Sequence, residues 1–325
     1  MAQVLGIDLG GTKVLAGVVD VDTGRVVSKA KKRSRAEHGP QDLVERLVQV
    51  ANQALAADGV DRRGVRQIGI GVAGQIDRER GIVIAAPNLA NMTDMRLAEL
   101  VQKEVGLPVK LFNDVEAAGA GEASFGAGRG RTDFVVVFVG TGIGGAIYRD
   151  GRPYAGATHT AGELGHMIVA VSGRLCGCGG FGHLEAYASR TAIVRSILAG
   201  LHAGRQSVLR EIATQINPND PGGSGIRSRA IAQALNADDA LTHEMLMVAA
   251  DYLAAGLASI ANFYNPPLIV LGGGLVEAVD LFFTAVAART RNAALEVPGS
   301  KIEIAKAGLG DYSGIVGAAV LASRG

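Results

Sequence analysis

Short apolar runs separated by glycine-rich turns predict strands in the first part of the chain. Residues 4–9 and 14–19 are apolar, residues 25–30 alternate between polar and apolar, and Asp22-Thr23-Gly24 suits a turn before the third run. Comparable runs predict further strands at residues 68–72, 109–112, 134–139, 146–148, 268–271 and 302–305.

Apolar positions at helical spacing predict the intervening helices. Between residues 41 and 57 they form one stripe, at Leu43, Leu47, Val50, Ala51, Ala54 and Leu55. Further helices are predicted at residues 97–105, 115–125, 184–204, 245–264, 275–294 and 313–322. Residues 217–225 read NPNDPGGSG and predict a surface loop. Strands that alternate with helices indicate an α/β protein with largely parallel central pairing.

Part of this pattern occurs twice. A strand ending in Ile7-Asp8-Leu9 runs into a Gly/Thr-rich turn and an apolar run at 14–19. A strand ending at Val139 likewise runs into the turn at 140–145 and an apolar run at 146–148. A duplicated unit of this kind implies two similar lobes that face one another across a cleft.

Length and charge narrow the possible functions. The 325 residues exceed the usual size of one core, so we expect two domains or one domain with a large lobe. The 48% of hydrophobic residues provide ample core material. A net charge of +1 argues against a nucleic-acid-binding surface. The basic run at 29–35 is therefore interpreted as a solvated strand end and loop.

Nothing in the sequence predicts export or membrane insertion. The N-terminal residues lack the basic and apolar regions of a signal peptide, and prolines and glycines interrupt the uncharged stretch at 252–276. Cys176 and Cys178 are too close in sequence for a comfortable disulfide. We therefore expect a cytoplasmic protein without disulfides and without membrane or nucleic-acid partners.

Glycine turns at three strand ends could bind a nucleotide. In the first turn, the backbone of Gly10 and Gly11, the Thr12 hydroxyl and the Lys13 ammonium could contact phosphate, and Asp8 could hold Mg²⁺. Such a turn alone is equally compatible with a purely structural hairpin. The turns at 140–145 and 272–274 favour the nucleotide interpretation, and they supply Thr141, Gly142, Gly273 and Gly274. No G-x-x-x-x-G-K-[ST] sequence is present, so this is not a P-loop protein.

An amide and a carboxylate follow the strand at 109–112. Asp114 is a candidate general base for a sugar hydroxyl, and Asn113 offers both a donor and an acceptor to neighbouring hydroxyls. The alternative interpretation is that either residue only caps the helix that follows. Residue type alone leaves this choice open.

The segment at 161–185 combines polyol-binding and metal-binding residue types. Glu163, His166 and Glu185 lie in a glycine-rich frame and could hydrogen-bond a polyol. Four candidate metal ligands lie within about twenty positions of one another and suit tetrahedral zinc. They are His166, Cys176, Cys178 and His183. A catalytic thiol is not expected, because no base and third group surround either cysteine.

Together these motifs resemble the ROK family of sugar kinases and related repressors. The resemblance spans essentially the whole chain and includes DLGGTK at 8–13, FND at 112–114 and GTGIGG at 140–145. Its most specific part is GELGH at 162–166 with Cys176-x-Cys178-Gly179-x-x-Gly182 and Glu185. One position departs from the family pattern, because His183 stands where a third cysteine is usual. Two alternatives stay open: either a Cys₂His₂ site replaces Cys₃His, or metal binding is weaker or lost.

The resemblance implies an α/β, actin-like hexokinase fold (ribonuclease H-like) whose two lobes close over ATP and sugar. The small lobe would comprise residues 1–113 with the C-terminal helix 313–325, and the large lobe residues 114–312. Asp114 would be the general base, and a structural zinc would shape the sugar-binding loop, with His166 both ligating zinc and touching the sugar. The sugar would be hydrogen-bonded by Asn88, Asn113, Asp114, Glu163, His166 and Glu185.

The implied activity is ATP- and Mg²⁺-dependent phosphorylation of a free hexose, glucose before any other. N-acetylmannosamine, fructose and other hexose kinases share the motifs, and some relatives accept polyphosphate as the donor. A homo-oligomer, dimer or tetramer, is expected. A sugar-responsive regulator is the alternative, but family repressors carry an extra N-terminal helix-turn-helix, whereas here the first strand begins near Val4.

Overall fold

The nine predicted strands and one two-residue strand that was not predicted form two five-stranded sheets. The computed structural model describes residues 2–35, 38–86, 89, 92–214 and 225–324. Its strands are β1 (Gln3–Leu9), β2 (Lys13–Asp20), β3 (Val26–Arg33), β4 (Val65–Val72), β5 (Gln75–Asp77), β6 (Ile82–Ala86), β7 (Met92–Met95), β8 (Val109–Asn113), β9 (Phe134–Val139), β10 (Ile143–Arg149), β11 (Arg152–Pro153), β12 (Leu268–Gly272) and β13 (Glu303–Lys306).

The strands of the two sheets are arranged in equivalent orders. The first is β3-β2-β1-β4-β8 and the second β11-β10-β9-β12-β13. Strand β1 pairs antiparallel with β2 and parallel with β4, and β4 pairs parallel with β8. In the second sheet β12 pairs parallel with β9 and with β13. The α/β class and the duplication predicted from the sequence are therefore confirmed at the level of topology.

Helices connect and cover these strands. They are α1 (Pro40–Leu55), α2 (Leu97–Val105), α3 (Asp114–Phe125), α4 (Glu185–Ala188), α5 (Arg190–His202), α6 (Arg210–Thr214), α7 (Ser228–Asn236), α8 (Ala240–Phe263), α9 (Gly274–Ala278), α10 (Asp280–Ala293), α11 (Glu296–Lys301) and α12 (Ser313–Ser323). All six residues of the predicted α1 stripe are buried, because that face packs on the first sheet.

The chain folds into two compact units. The first comprises Met1–Thr132, Ile147–Ala161 and Ala307–Gly325, and the second Asp133–Ala146 and Gly162–Lys306. The predicted division at 113/114 and 312/313 differs from this one, because it places residues 114–132, 147–161 and 307–312, and with them α3, in the large lobe. Helix α3 belongs to the first unit because it packs along α12, and because the Tyr148 hydroxyl donates a hydrogen bond of 2.7 Å to the Glu116 carbonyl oxygen.

Helix α12 packs directly on the backbone of the first sheet. A Cβ on Gly6 of β1 would overlap the carbonyl oxygen of Ile315, and one on Gly69 of β4 would overlap that of Ala318. Only glycine permits this approach, because any side chain would push the helix away from the strands. The last predicted helix is thus a core element of the first unit.

The start of α12 is tied to the end of α3 by one buried carboxylate. Glu122 has no exposed surface, and its two oxygens each accept two hydrogen bonds. One oxygen accepts from the backbone N–H groups of Ala127 and Gly308, both at 2.8 Å. The other accepts from the Leu309 N–H at 3.0 Å and the Ser313 hydroxyl at 2.8 Å. Four donors satisfy this buried group without a cation among the described residues.

Several predicted helix limits were wrong because capping residues were not recognised. The helix predicted at 184–204 breaks at Ser189, whose hydroxyl accepts a hydrogen bond of 3.2 Å from the Ala192 N–H and starts α5. The helix predicted from 245 begins at Ala240, because the Asp239 carboxylate accepts from the Thr242 N–H at 2.8 Å. Strands β5, β6 and β7 form a small unpredicted sheet. The predicted loop at 217–225 lies almost entirely outside the described residues.

Within the described ranges, one helix is long and apolar enough by length and composition to cross a membrane. It is α8, and 56% of its most apolar window is buried inside the protein. Helices α5, α7 and α10 pack against it. Burial of this kind is also found for the core helix of a globular unit.

Replacing Glu122 by glutamine should destabilise the protein. Glu122→Gln keeps the shape but points an amide donor at N–H and O–H donors, so we expect a loss of about 2–4 kcal/mol in the free energy of unfolding. Urea denaturation measures this loss. The control is Glu99→Gln, which removes an ion pair of a 72%-exposed carboxylate and should cost less than about 1 kcal/mol. Equal effects of both variants would contradict the prediction.

Candidate functional site

The first glycine turn joins β1 to β2 and is held by its own backbone and by Ser34. The Gly10 N–H donates to the Lys13 carbonyl oxygen at 3.0 Å. The Ser34 hydroxyl donates to the Gly11 carbonyl oxygen at 2.6 Å, and the Ser34 N–H donates to that of Thr12 at 3.3 Å. The turn is thus fixed by bonds to its carbonyl groups.

Charged side chains surround this turn. The Lys13 ammonium lies 3.7 Å from a carboxylate oxygen of Asp8 and 3.1 Å from one of Asp311, and Lys31 lies 3.6 Å from the other oxygen of Asp311. Burial raises the pKa of the Asp8 carboxyl above its usual value, although Lys13 opposes the shift. Burial also acts to raise the pKa of Asp311, but Lys13 and Lys31 outweigh it and hold that pKa below its usual value.

Asp114, the predicted general base, lies at the edge of the first sheet at which β1 runs into the first glycine turn. Asp8 pairs in register with Gly71 of β4, and a Cβ on Gly71 would lie 3.3 Å from the Cα of Asp114. Asp8 and Asp114 therefore flank one glycine, close to the carboxyl ends of β1, β4 and β8. Two carboxylates beside a glycine turn at a sheet edge form an arrangement that can bind a cation and accept a proton.

The structure identifies Asn113 as the cap of α3. Its side-chain oxygen accepts from the N–H groups of Val115 at 3.0 Å and Glu116 at 3.1 Å, and its amide donates to the Gly74 carbonyl oxygen at 3.4 Å. The acceptor half of the expectation for Asn113 was therefore wrong, because both lone pairs of the oxygen are used, whereas the amide group can still donate. Asp114 is the first residue of α3. Asn88, the remaining predicted residue of this part, lies outside the described residues.

The second glycine turn lies in the second unit and is held by the start of α5. The Gly140 N–H donates to the Gly142 carbonyl oxygen at 2.9 Å, and the Arg190 N–H donates to that of Gly140 at 3.0 Å. The Arg190 guanidinium donates to the Thr141 hydroxyl oxygen at 2.8 Å, and the Thr191 hydroxyl donates to the Thr141 carbonyl oxygen at 2.7 Å.

Glu185 connects this turn to the cysteine segment. One carboxylate oxygen accepts from the Ile143 N–H at 2.8 Å, and the other lies 3.6 Å from the Cys176 sulfur. A Cβ on Gly142 would overlap the first of these oxygens, so any other residue there would displace the Glu185 carboxylate. Glu185 thus positions the turn in addition to its predicted role toward a sugar.

The third glycine turn follows β12, beside the second. Gly273 has a φ of 93°, and a Cβ there would lie 2.6 Å from the backbone nitrogen of Val139. Strands β9 and β12 run parallel, so their carboxyl ends and both turns lie at one edge of the second sheet. This is the edge at which α/β proteins bind ligands.

The cysteine segment is a loop closed by backbone hydrogen bonds. The Leu184 N–H donates to the Met167 carbonyl oxygen at 2.9 Å, and the Cys176 N–H donates to that of Gly180 at 2.8 Å. Isolated bridges join Ile168 to His183 and Leu175 to Phe181. The loop therefore brings residues from its beginning, middle and end to one place.

The four predicted metal ligands meet in this loop. Their ligand atoms, from His166, Cys176, Cys178 and His183, all lie within 4.8 Å of one another. The Nδ1 atoms of the two histidines are 3.4 Å apart, Cys178 Sγ lies 3.2 Å from His183 Nδ1, and Cys176 Sγ lies 3.9 Å from His166 Nδ1. Tetrahedral zinc with its usual bond lengths separates such atoms by about 3.3–3.8 Å. The set therefore fits one zinc ion.

The surroundings of the four ligands act in opposite directions on metal binding, since the burial of Cys176 opposes it and the Glu163 carboxylate favours it. Burial raises the pKa of the Cys176 thiol to about 11, so a metal would have to displace its proton. His166 Nε2 lies 3.8 Å from a Glu163 carboxylate oxygen, on the side of the ring away from Nδ1. A carboxylate there can orient a ligating histidine.

Sequence reasoning missed Arg190, Thr191 and Asp311, which contact the predicted turns. Asp311 follows Gly308-Leu309-Gly310, and this glycine-rich segment before a helix was a usable signal. Arg190 and Thr191 lie about 50 positions from Thr141, and nothing in their local sequence indicates the contact.

Comparisons with known proteins show similarity along nearly the whole chain. A family model described as ROK family matches residues 4–324. The glucokinase of Thermotoga maritima is 31% identical over 98% of this chain and 96% of its own length. The glucokinase of Streptomyces coelicolor is 33% identical over 99% and 98%, respectively.

A solved structure is similar over the same extent. It is a ROK family glucokinase from Streptomyces griseus in complex with glucose and AMPPNP, with 33% identity, a TM-score of 0.85, and coverage of 99% of this chain and 100% of that one. The predicted fold class is confirmed by this similarity.

Removing the Asp8 charge should stabilise the protein in a pH-dependent manner. Because its pKa is raised on folding, the protonated carboxyl is favoured in the folded state, and stability falls as the pH rises through the raised value. Asp8→Asn should therefore unfold at higher urea concentration than the wild type at neutral pH. The difference should vanish below the ordinary aspartate pKa of about 3.9. Urea titrations at several pH values test this, and an advantage independent of pH would contradict it.

Proposed function

Because this chain belongs to the ROK family, we propose that it transfers the γ-phosphoryl group of ATP to a hydroxyl group of a free hexose, with glucose as the first substrate to test. The observation that carries the proposal is the full-length similarity to a glucokinase whose structure holds glucose and AMPPNP. The two repeated glycine turns and the carboxylate pair of Asp8 and Asp114 supply residue types that this reaction needs.

On the side of the phosphate donor, ATP, the proposed role of the protein is to neutralise negative charge on the phosphates. Phosphoryl transfer leaves the protein little covalent chemistry, so it must hold the groups in line and neutralise negative charge. In the proposal, Lys13, Thr12 and the backbone of Gly10 and Gly11 contact phosphate oxygens. Lys13 would exchange its contacts with Asp8 and Asp311, at 3.7 and 3.1 Å, for phosphate.

The ATP-binding part of the proposed site also includes a ligand for Mg²⁺. Asp8 would hold Mg²⁺ directly or through water, because carboxylate oxygens suit this cation. When bound, Mg²⁺ would neutralise negative charge on the phosphates of the nucleotide. In the second unit, Thr141, Gly142, Gly273 and Gly274 are the proposed further contacts with the nucleotide.

The acceptor half depends on one proton transfer. Asp114 accepts the proton of the attacking sugar hydroxyl in this proposal, and its place at the first residue of a capped helix fixes its backbone. Asn113 can only donate, because its oxygen caps α3. Glu163, His166, Glu185 and Asn88 are the further proposed sugar ligands.

The zinc ion in this proposal is structural. Cys176, Cys178, His166 and His183 would hold it, with His183 replacing the usual third cysteine. All four positions would be filled by protein, so no open position is left for Lewis-acid chemistry. Its effect would be to fix the loop that carries Glu163 and leads to Glu185.

Some expectations stay predictions. They are the choice of glucose over N-acetylmannosamine, fructose or another hexose, a cytoplasmic setting, a homo-oligomer and the limits of a small and a large lobe. A sugar-responsive regulator without activity remains the second candidate. An assay of ADP release with Mg·ATP and a panel of these sugars distinguishes the candidates, because a regulator binds a sugar without turnover.

Replacing Asp114 should remove turnover and spare sugar binding. Asp114→Asn keeps the shape but cannot accept the proton, so we expect kcat to fall by roughly 10²–10⁴-fold. The control is Asp150→Asn, a carboxylate 89% exposed in a left-handed backbone conformation that asparagine also tolerates. Steady-state kinetics and calorimetric sugar binding measure both effects. A kcat near that of the wild type would rule out Asp114 as the base.

The metal content should depend on His183. The wild type should hold about one zinc ion per chain, His183→Cys should retain it, and His183→Ala should lose it to a chelator. Elemental analysis after dialysis gives the stoichiometry. His202→Ala on α5 serves as the histidine control and should leave the zinc content unchanged. Zinc-free wild-type protein after growth with added zinc would refute the assignment.

A further inference from the structure

Arg190 is a cation aimed at the second glycine turn. It is the first residue of α5, and its backbone N–H and its guanidinium contact neighbouring residues of the turn, Gly140 and Thr141, at 3.0 and 2.8 Å. A guanidinium carries five N–H donors, and the Thr141 hydroxyl occupies one of those of Arg190. The side chain is half-buried, so the remaining donors have limited access to water.

The charge of Arg190 is not balanced by a carboxylate. Among the residues that the structure describes, no acidic side chain forms an ion pair with it. Burial lowers the pKa of Arg190, and the nearby positive charge of Arg227 lowers it further. An anion bound beside these two guanidinium groups would offset both effects.

Arg227 approaches from the third glycine turn. It immediately precedes Ser228, the first residue of α7, and a Cβ on Gly274 would lie 3.8 Å from the Ser228 hydroxyl oxygen. Gly274 begins α9 directly after β12, and β12 is the parallel neighbour of β9. The two arginines therefore flank the two glycine turns at one edge of the second sheet.

We propose that Arg190, assisted by Arg227, binds the phosphate chain of the nucleotide beside Thr141. This inference rests on the proposed function and adds to it a cationic element in the second unit. Backbone N–H groups and a threonine hydroxyl can orient phosphate oxygens, but they carry no net charge. Arginine supplies that charge and can bond two oxygens at once.

The test is nucleotide affinity as a function of phosphate number. Calorimetry with adenosine, AMP, ADP and AMPPNP compares the wild type with Arg190→Met, which keeps much of the side-chain length without its charge. We expect Kd for ADP and AMPPNP to rise roughly tenfold or more, with Kd for adenosine within about twofold of the wild type. Arg190→Lys should fall between the two, because it keeps a charge but loses the bidentate geometry.

Two further variants keep the test decisive. Arg195→Met changes a residue five positions farther along the same helix and should bind every nucleotide as the wild type does. Arg227→Met changes an exposed side chain and should show the same phosphate dependence at smaller amplitude, even if Arg190→Met fails to fold. An equal loss for adenosine and for ADP would overturn the proposal, because it would indicate that Arg190 only shapes the turn.

Failure of this inference is distinguishable from failure of the proposed function. Wild-type protein that phosphorylates hexoses, with unchanged nucleotide affinity in Arg190→Met and Arg227→Met, would overturn the inference alone. If the wild type does not phosphorylate any hexose but Arg190→Met still loses affinity only for nucleotides that carry phosphate, the inference is supported and the kinase proposal is overturned. Wild-type protein that binds none of the four nucleotides would overturn both.

Discussion

Much of the first unit depends on satisfying the buried carboxylate of Glu122. Its four donors come from the end of α3, from the turn at 308–309 and from Ser313, the first residue of α12. That turn leads to Asp311, which pairs with Lys13, and the next residue of α12, Gly314, lies against Asp8. A buried carboxylate with four donors has one favourable position, so it fixes the helix start and the charged residues that follow.

The three glycine turns show how small residues and distant side chains divide one task. Glycine permits the close approaches, as at Gly142 beside Glu185 and at Gly273 beside Val139. The rigidity comes from elsewhere in the sequence, from Ser34 at the first turn and from Arg190 at the second. A glycine turn becomes a defined binding surface only when such contacts remove its conformational freedom.

What could be predicted from the sequence follows the range of the interactions. The α1 stripe, the repeated strand-turn-strand units and the clustered ligands of the cysteine segment are local patterns, and they were predicted. Ser189 and Asp239 are also local signals, of helix starts, that were available and overlooked. The role of Glu122 spans 191 positions, to Ser313, and the contact of Arg190 with Thr141 spans 49. No local pattern encodes such pairs, because they depend on how the sheets are assembled.

The packing of α12 on β1 and β4 has a consequence for synthesis of the protein. Ribosomes make the strands of the first sheet early, but the helix that covers Gly6 and Gly69 emerges only after the entire second unit has been made. Until then that face of the sheet lacks its cover and the donors at 308–313 that satisfy Glu122. The second unit ends at Lys306, before this helix, so all of its residues have been synthesised when the cover of the first sheet emerges.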